Sequence, residues 1–426
     1  MRPRRGPPET AREHGGVTVP APLPPEPGDV VELTVGEPAH GGWCVARPAA
    51  GPVVFVRHAL PGERVRAVIT QTTSRLARAD ATEILDASAD RVPAPCPHAR
   101  PGGCGGCDWQ HASLPAQRAL KAAVVRQQLR RIAGLEREVV VEQLPGDRSG
   151  LGWRTRVKFA VRRDGAAGLR RHRSHEIVPI GDCPIAHHLV DAPGVTARAW
   201  PGAASVEVAV APASGQRAVI VSGRRREAGP AYLRQRAAGR DWRVSATGFW
   251  QVHPAAADTL AGAVADALHP RPGQVALDLY CGAGLFAGVL ARAVGPAGTV
   301  IGIEADAAAV RDARHNLRAT PWARVHRGDV AGLLARNGLS GASLAVLDPP
   351  RAGVARPVID LLSAAPAGAA GPVSRIAYVS CDPATLARDI AALAAAGWSL
   401  EALRAFDAFP MTHHVECVAT LARDGA

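Results

Sequence analysis

The feature that most constrains the fold is an alternation of apolar and helical segments that starts with the apolar run 275–280. That run leads directly into a turn in which Gly282, Gly284 and Ala287 fit the pattern Gly-x-Gly-x-x-Gly/Ala. Glu304 ends the next apolar run, where a carboxylate can accept hydrogen bonds from a ribose diol. The alternation predicts an α/β fold with a doubly wound parallel sheet. The turn predicts a Rossmann-like site for a nucleotide-containing cofactor.

The turn alone fits both a nicotinamide dinucleotide and S-adenosylmethionine. Two features resemble class I methyltransferases. Asp278 stands four residues before the first glycine of the turn, and the strand 344–347 ends in Asp348-Pro349-Pro350-Arg351, a motif of enzymes that methylate planar nitrogenous substrates. The resemblance implies S-adenosylmethionine as the cofactor, and a nicotinamide-dependent oxidoreductase is the alternative. The residues that it places beside the cofactor are Gln251, Tyr280, Gly282, Glu304, Asp329 and Asp348.

Cys381 lies at the carboxyl end of a predicted strand. The apolar run 376–379 predicts a buried strand, and Leu386, Ile390 and Leu393 have the spacing of a helix that follows it. Open α/β sheets place their ligand chemistry at this edge, and a helix amino terminus favours a thiolate over a thiol. A lone cysteine is more often a small buried thiol. Because the other motifs point to the same edge, we predict a nucleophile here.

Three cysteines form a compact loop well before this domain. Cys96 is followed by Cys104 and Cys107, with glycines between them, and Cys183 lies far along the chain. All-thiolate ligation suits a structural zinc ion or a 4Fe–4S cluster. Zinc ligands more often come as two Cys-x-x-Cys pairs, and Cys183 has no paired cysteine. We therefore predict a 4Fe–4S cluster.

The segment 28–91 consists of short alternating strands separated by turn signals. This pattern predicts a small closed β-barrel of the OB type. Its stretches 41–47, 54–56 and 59–65 resemble a TRAM domain, which is a small RNA-binding barrel. The preceding residues, 1–27, are rich in Pro, Arg and Glu and predict a disordered tail.

The order of barrel, cysteine loop and cofactor domain resembles the RNA uridine-5-methyltransferase family, over nearly the whole chain after residue 28. The resemblance implies transfer of a methyl group from S-adenosylmethionine to carbon 5 of a uridine in ribosomal or transfer RNA, through a covalent cysteine–uracil adduct. Many members of that family carry a 4Fe–4S cluster. The positions that match its ligands are Cys96, Cys104, Cys107 and Cys183.

The same resemblance implies roles in the reaction. It makes Cys381 the nucleophile and Glu416, which ends a His-x-Glu stretch, the general base. The residues that it places at the target uracil are Phe249, Gln251 and Asp348. The chain departs from the family pattern at His253 and Asp382, where Asn is common.

Two other functions stay open at this point. A cytosine-5 RNA methyltransferase also uses a cysteine nucleophile. It usually places that cysteine beside the proline after the fourth strand, where Asp348-Pro349-Pro350 has none. The other alternative is an RNA-binding protein with a methyltransferase fold and no activity.

Composition bears on the partner and the compartment. The formal net charge of +12 favours a polyanionic partner such as RNA, although nearly all cationic residues are Arg and only Lys121 and Lys158 are Lys. No apolar run is long enough for a membrane span, so we expect no membrane partner and a cytoplasmic location. We also expect a monomer. Beyond the tail and the barrel, we divide the chain into a central α+β domain at 92–240 and a methyltransferase domain at 241–426.

Overall fold

Alternating apolar side chains close the first strands into a barrel. The computed structural model describes residues 25–48, 51–222, 226–338, 341–364 and 373–423. The barrel strands are β1 (Val30–Ala39), β2 (Trp43–Ala46), β3 (Val53–Arg57), β4 (Arg64–Thr72) and β5 (Leu76–Asp86). β1 pairs with both β2 and β4, which closes the ring in the order β1-β2-β3-β5-β4. The predicted barrel is confirmed. Most of the predicted tail, residues 1–24, lies outside the described residues.

The cysteine loop and a helix follow the barrel. α1 (Leu114–Gln128) begins after Ser113, whose hydroxyl oxygen accepts a hydrogen bond from the Ala116 amide at 3.3 Å. A π-helical turn, Leu129–Ala133, extends the helix to Gly134, which adopts a left-handed φ of 66°. Helical structure therefore runs without a break from Leu114 to Ala133. The short strand β6 (Val141–Gln143) comes next.

The middle of the chain forms an antiparallel sheet and a hairpin. The elements are β7 (Arg156–Val161), β8 (Ala167–Arg170), β9 (Ile177–Pro179), α2 (Ala192–Thr196), β10 (Ser205–Ala211), β11 (Gln216–Val221), β12 (Tyr232–Ala237) and β13 (Arg240–Ser245). The sheet has the strand order β11-β10-β7-β8-β9, and β12 and β13 form the separate hairpin. Phe159, Val206 and Val208 are fully buried in the core of this sheet.

The last part of the chain forms the predicted doubly wound sheet, in the class I methyltransferase arrangement. The helices are α3 (Ala256–Leu268), α4 (Leu285–Val294), α5 (Ala307–Asn316), α6 (Val330–Asn337), α7 (Arg356–Ser363) and α8 (Pro383–Ala394). The strands are β14 (Val275–Leu279), β15 (Thr299–Glu304), β16 (Ala323–Arg327), β17 (Leu344–Leu347), β18 (Arg375–Ser380), β19 (Trp398–Asp407) and β20 (Glu416–Arg423). Two hydrophobic cores, which share no buried residue, pack against this sheet.

The eight-stranded sheet reaches beyond the segment predicted for it. Its order is β16-β15-β14-β17-β18-β20-β19-β6, so β6, from residues 141–143, forms one edge through parallel pairing with β19. Ala122 and Val125 of α1 belong to one core of the sheet, and Leu144 and Ala237 belong to the other. The segment 92–240 therefore contributes to two structural units. Among the described residues, no helix is both long and apolar enough to cross a membrane.

Candidate active site

Cys381 lies between β18 and α8, at the carboxyl edge of the parallel strands. β18 ends at Ser380, and Asp382 caps α8 because its Oδ1 accepts a hydrogen bond from the Thr385 amide at 2.8 Å. The other carboxylate oxygen of Asp382 lies 3.3 Å from His40 Nε2, which belongs to the barrel. The barrel therefore touches the turn that carries the predicted nucleophile.

Glu416 is the first residue of β20, which runs antiparallel to β18. Ser380 of β18 pairs with Cys417 of β20, so the register brings Cys381 beside Glu416. Glu416 is only 4% exposed, whereas Cys381 is partly exposed. The fold thus brings together the predicted nucleophile and the predicted base.

A cleft of about 1020 Å³ opens beside this pair. The predicted site residues that line it are Phe249, Gln251, Tyr280, Gly282, Glu304, Asp348, Cys381 and Glu416. Asp329 is not among its lining residues. The carboxylate of Asp329 caps α6 by accepting a hydrogen bond from the Gly332 amide at 2.8 Å. Its predicted contact with adenine stays a prediction.

Carboxylates hold the glycine-containing turn after β14. Asp278 is buried and accepts a hydrogen bond from the Ala287 amide at 2.6 Å, while its Oδ1 has no partner among the described residues. Glu304 accepts a hydrogen bond from the Gly282 amide at 3.0 Å. Tyr280 adopts a φ of 68°, which is uncommon for a residue with a side chain and occurs often at functional sites. These contacts fix the backbone that borders the cleft.

Carboxyl groups crowd one side of the cleft. Burial and then the nearby Glu304 raise the pKa of Asp348 to about 7. Burial also raises the pKa of Asp278 to about 8, although the Ala287 amide opposes the shift. Burial and then Asp348 raise the pKa of Glu416 well above its ordinary range. Carboxyl groups whose negative charges have so few cations nearby favour the binding of a positively charged ligand.

The thiol of Cys381 is held in its protonated form. Burial and then the charge of Glu416 raise its pKa to about 11, while Arg351, which is hydrogen-bonded to it, opposes the shift. Burial and the charge of Glu416 therefore oppose the thiolate that the helix amino terminus was expected to favour. Arg351 follows the Asp-Pro-Pro motif, and sequence reasoning had given it no role. It is positioned to stabilise a thiolate once the proton has left.

The mouth of the cleft carries an exposed aromatic ring. Phe249 is 69% exposed, whereas Gln251 is only 9% exposed. An exposed ring can stack on a base, and a buried amide can both donate to and accept from a base edge. His253 does not line the cleft; its ring stacks on Trp153 with 6.2 Å between centroids and 20° between planes.

α1 contacts the loop between β19 and β20 and holds it in place. This loop leads into Glu416. Lys121 is fully buried, and its Nζ lies 2.5 Å from Asp407 Oδ1 and 2.9 Å from the carbonyl oxygen of Phe409. Sequence reasoning missed this contact. One signal was present: a chain that uses Arg almost everywhere has Lys at position 121.

Asp108 of the cysteine loop joins the same region to the barrel. Its carboxylate accepts hydrogen bonds from the amide of His413 at 3.1 Å, from His413 Nδ1 at 2.7 Å and from Arg57 Nη2 at 3.2 Å. Burial opposes ionisation, but His413 and Arg57 hold the pKa of Asp108 well below its usual range. A Cβ on Gly42 would lie 2.7 Å from Asp108 Cγ, so the barrel approaches this carboxylate closely only because position 42 is glycine.

The four cysteines predicted as ligands meet at a second, smaller cavity. Its lining includes Cys96, Cys104, Cys107 and Cys183. Gly106 and Arg154 line both this cavity and the cleft, and the Gly106 amide donates to Cys104 Sγ at 3.4 Å. Within the described part of the chain, no three His, Cys, Asp or Glu side chains are grouped to hold a single metal ion. The ligand role of these thiols stays a prediction.

Family models match three parts of the chain. One described as tRNA (Uracil-5-)-methyltransferase matches residues 341–424, which include Cys381 and Glu416. A TRAM domain model matches residues 24–82, and a model of protein-L-isoaspartate(D-aspartate) O-methyltransferase matches residues 250–333.

Known proteins resemble the chain over nearly its full length. An "uncharacterized RNA methyltransferase" of Streptomyces avermitilis is 49% identical over 92% of this chain and 98% of its own length. A protein of the same description from Streptomyces coelicolor is 50% identical over 92% of this chain and 93% of its own length. The crystal structure of Pyrococcus abyssi tRNA (uracil-54, C5)-methyltransferase with S-adenosyl-L-homocysteine has the same fold. Its TM-score is 0.68 at 21% identity, and the match covers 92% of this chain and 99% of that one.

Proposed function

The chain belongs to the RNA methyltransferase family of these relatives, and we propose that it methylates carbon 5 of a uridine in ribosomal or transfer RNA. The observation that carries this proposal is the meeting of Cys381 and Glu416 in one cleft with the glycine turn and Asp348. Carbon 5 of uracil is a weak nucleophile, so the reaction needs both a group that adds to carbon 6 and a base that removes a proton.

The charge of the cleft favours S-adenosylmethionine over a nicotinamide dinucleotide as the cofactor. In addition to burial, the charges of Asp348 and Glu304 raise the pKa of Asp278, and the charge of Glu304 raises the pKa of Asp348. A sulfonium cation would relieve this repulsion, whereas the diphosphate of a dinucleotide would add to it. When bound, S-adenosylmethionine would supply the methyl group that carbon 5 accepts, and cleavage of its sulfur–methyl bond would leave S-adenosylhomocysteine. Gly282, Tyr280 and Glu304 would hold it beside β14.

Cys381 would begin the reaction on the RNA. Its thiol releases its proton to solvent, Arg351 stabilises the thiolate, and Sγ forms a bond to carbon 6 of the uracil. The electrons of the 5,6 double bond move towards the carbonyl oxygen, which makes carbon 5 nucleophilic. Asp348, whose pKa is raised to about 7, can donate a hydrogen bond to that oxygen while it is protonated.

Glu416 would complete the reaction. After carbon 5 has gained the methyl group, Glu416 takes the remaining proton from carbon 5. The electrons of that bond restore the double bond, and Cys381 leaves as a thiolate. Because its pKa is raised, Glu416 is a stronger base than an ordinary carboxylate. The target uracil must leave its stack to reach this pair, and the exposed ring of Phe249 is available to stack on it.

We also infer that Cys96, Cys104, Cys107 and Cys183 hold a 4Fe–4S cluster. Support comes from their shared cavity and from the amide that donates to Cys104 Sγ, since thiolates in such clusters accept amide hydrogen bonds. Iron and sulfide analysis of anaerobically reconstituted protein tests this inference. Zinc in their place would contradict it.

Nucleoside mass spectrometry tests the methylation itself. Undermodified total RNA is incubated with S-adenosylmethionine and the wild type, Cys381→Ala or Cys44→Ala, the last of which removes a thiol of the barrel core. We expect 5-methyluridine from the wild type and from Cys44→Ala, and none from Cys381→Ala. Formation of 5-methylcytidine alone would support the cytosine alternative, and no product from cluster-loaded wild type would overturn the proposal.

A further inference from the structure

A basic pocket borders the catalytic cleft, and the proposed reaction does not use it. The pocket has a volume of about 390 Å³ and lies between the cysteine loop and the turn that joins β8 to β9. The basic side chains in its lining are Arg154, Arg170, Arg171, His172, Arg173 and His175.

The pocket and the cleft are continuous. Gly105, Gly106 and Arg154 line both of them. The β8–β9 turn is fixed against this wall, because the Gly105 amide donates to the carbonyl oxygen of Arg170 at 2.9 Å. A Cβ on Gly105 would lie 2.4 Å from the amide nitrogen of His172, so the close contact requires glycine there. A chain-like ligand in the cleft can therefore extend into the pocket.

Several cations of the pocket have no acidic partner. Arg171 is paired with Glu176 at 2.8 Å. Within the described residues, Arg154, Arg170 and Arg173 take part in no ion pair. Unpaired arginines that share a pocket repel one another, and an anion bound among them would relieve that repulsion.

The positive charge continues from the pocket to the barrel. The guanidinium carbons of Arg173 and Arg78 each lie 5.7 Å from the ring centroid of Trp43, and that of Arg57 lies 5.9 Å away. Burial and then the like charges of Arg78 and Arg57 lower the pKa of Arg173. Of the three, only Arg57 is paired with a carboxylate of the described residues, that of Asp108.

We propose that this pocket binds the phosphodiester backbone of the RNA next to the flipped uridine. The strand then leaves the cleft past Gly106, crosses the β8–β9 turn and continues towards the barrel. Guanidinium groups suit this ligand because their paired N–H groups match two phosphate oxygens. The proposal rests on the proposed function for the identity of the polyanion.

The test compares two double variants that remove the same charge from the full-length protein. Arg170→Ala/Arg173→Ala alters the pocket. Arg162→Ala/Arg198→Ala is the control, because these exposed arginines of the same domain are paired with Asp164 and Glu227 and do not line the pocket. Binding of undermodified transfer and ribosomal RNA is measured at several salt concentrations, without turnover. Binding of S-adenosylmethionine reports on the integrity of the fold.

The pocket variant should bind RNA about tenfold more weakly than the wild type, and its salt slope should fall by about 2. The control should stay within about twofold, and the pocket variant should bind S-adenosylmethionine normally. Arg170→Lys/Arg173→Lys, which keeps the charge but not the paired N–H groups, should recover part of the affinity. If the alanine variant fails to fold, Arg173→Glu can be compared with the control instead, because it reverses the charge of an exposed side chain.

Equal RNA affinity in the pocket and control variants would overturn the proposal. The proposal would also be overturned if the pocket of the wild type bound inorganic phosphate but the alanine variant kept the RNA affinity of the wild type. These outcomes are distinct from a failure of the proposed function, which would appear as RNA binding by the wild type without 5-methyluridine.

Discussion

The catalytic cleft and the cysteine-lined cavity share a wall, yet they surround their thiols differently. Cys381 lies beside Glu416 and a cation, Arg351, and close to further carboxyl groups. Three thiols of the cavity lie along a glycine-rich loop, where the Gly106 amide donates to Cys104 Sγ, and Cys183 joins them from a distant part of the chain. Charged neighbours suit a thiol to bond making and breaking, whereas amides and other thiols suit it to ligation.

Replacing one cysteine by serine in the cleft and one in the cavity should give the largest difference in methylation and iron content. Cys381→Ser should lower methylation by roughly 10⁴-fold or more and leave the iron content unchanged. Cys183→Ser should lower the iron content and affect methylation less, since its thiol touches the cavity and not the cleft. Iron analysis and single-turnover methylation check both variants. Equal loss of turnover in the two would remove the distinction between the sites.

Glu416→Gln should separate bond formation from bond release within the cleft. Without the base, the adduct between Cys381 and the methylated uracil should form and then persist. Turnover should fall by about 10² to 10⁴-fold, as is typical of losing a general base. Denaturing electrophoresis of labelled RNA would detect the adduct as a protein-linked band. If the variant is inactive without such a band, Glu416 acts before the thiol adds.

The cleft also depends on a buried ion pair that the cavity lacks. Lys121→Met leaves the carboxylate of Asp407 buried and unpaired, and we expect a loss of about 3 to 5 kcal/mol in the free energy of unfolding. Lys158→Met, at the other lysine, which is exposed, should change it by less than about 0.5 kcal/mol. Denaturant titration measures both. Adding Asp407→Asn to Lys121→Met should recover part of the loss, because no unpaired charge then stays buried.

The smallest expected effect is a pH dependence confined to the cleft. The pKa values of Asp348 and Asp278 are raised to about 7 and about 8, so both carboxyls gain negative charge as the pH rises through this range. Affinity for cationic S-adenosylmethionine should therefore rise about tenfold between pH 6 and pH 8. Affinity for S-adenosylhomocysteine, which lacks the sulfonium charge, should rise less. Calorimetry with both ligands checks this, and Asp348→Asn should flatten the difference.

The same raised pKa values also determine how the stability of the cofactor-free protein changes with pH. Unfolding returns both carboxyls to their ordinary pKa, near 3.8. Their contribution to stability is then fully present below about pH 4 and is lost as the pH rises through about 7 to 8. Thermal unfolding across this range should show the decline, and bound S-adenosylmethionine should offset it.

Sequence reasoning predicted the elements whose signal is local. The alternation of strands gave the barrel and the parallel sheet, and the motif around Cys381 gave a strand end followed by a helix. It missed β6, because three residues carry no periodicity, and so it missed the sheet edge formed by residues 141–143. It also missed the pair of Lys121 and Asp407, which lie 286 residues apart. The helix-dipole argument for Cys381 left out burial, which cannot be read from a local motif.

The contact between His40 and Asp382 limits how freely the barrel can be exchanged between enzymes. An RNA-binding module on a loose tether can be replaced to redirect an enzyme to another transcript. Here the module supplies a partner to the residue after Cys381, and through Arg57 it supplies a second partner to Asp108. A hybrid enzyme with a foreign barrel would need a histidine and an arginine in the same places. Engineering a new target therefore means redesigning the outer face of this barrel and keeping the inner one.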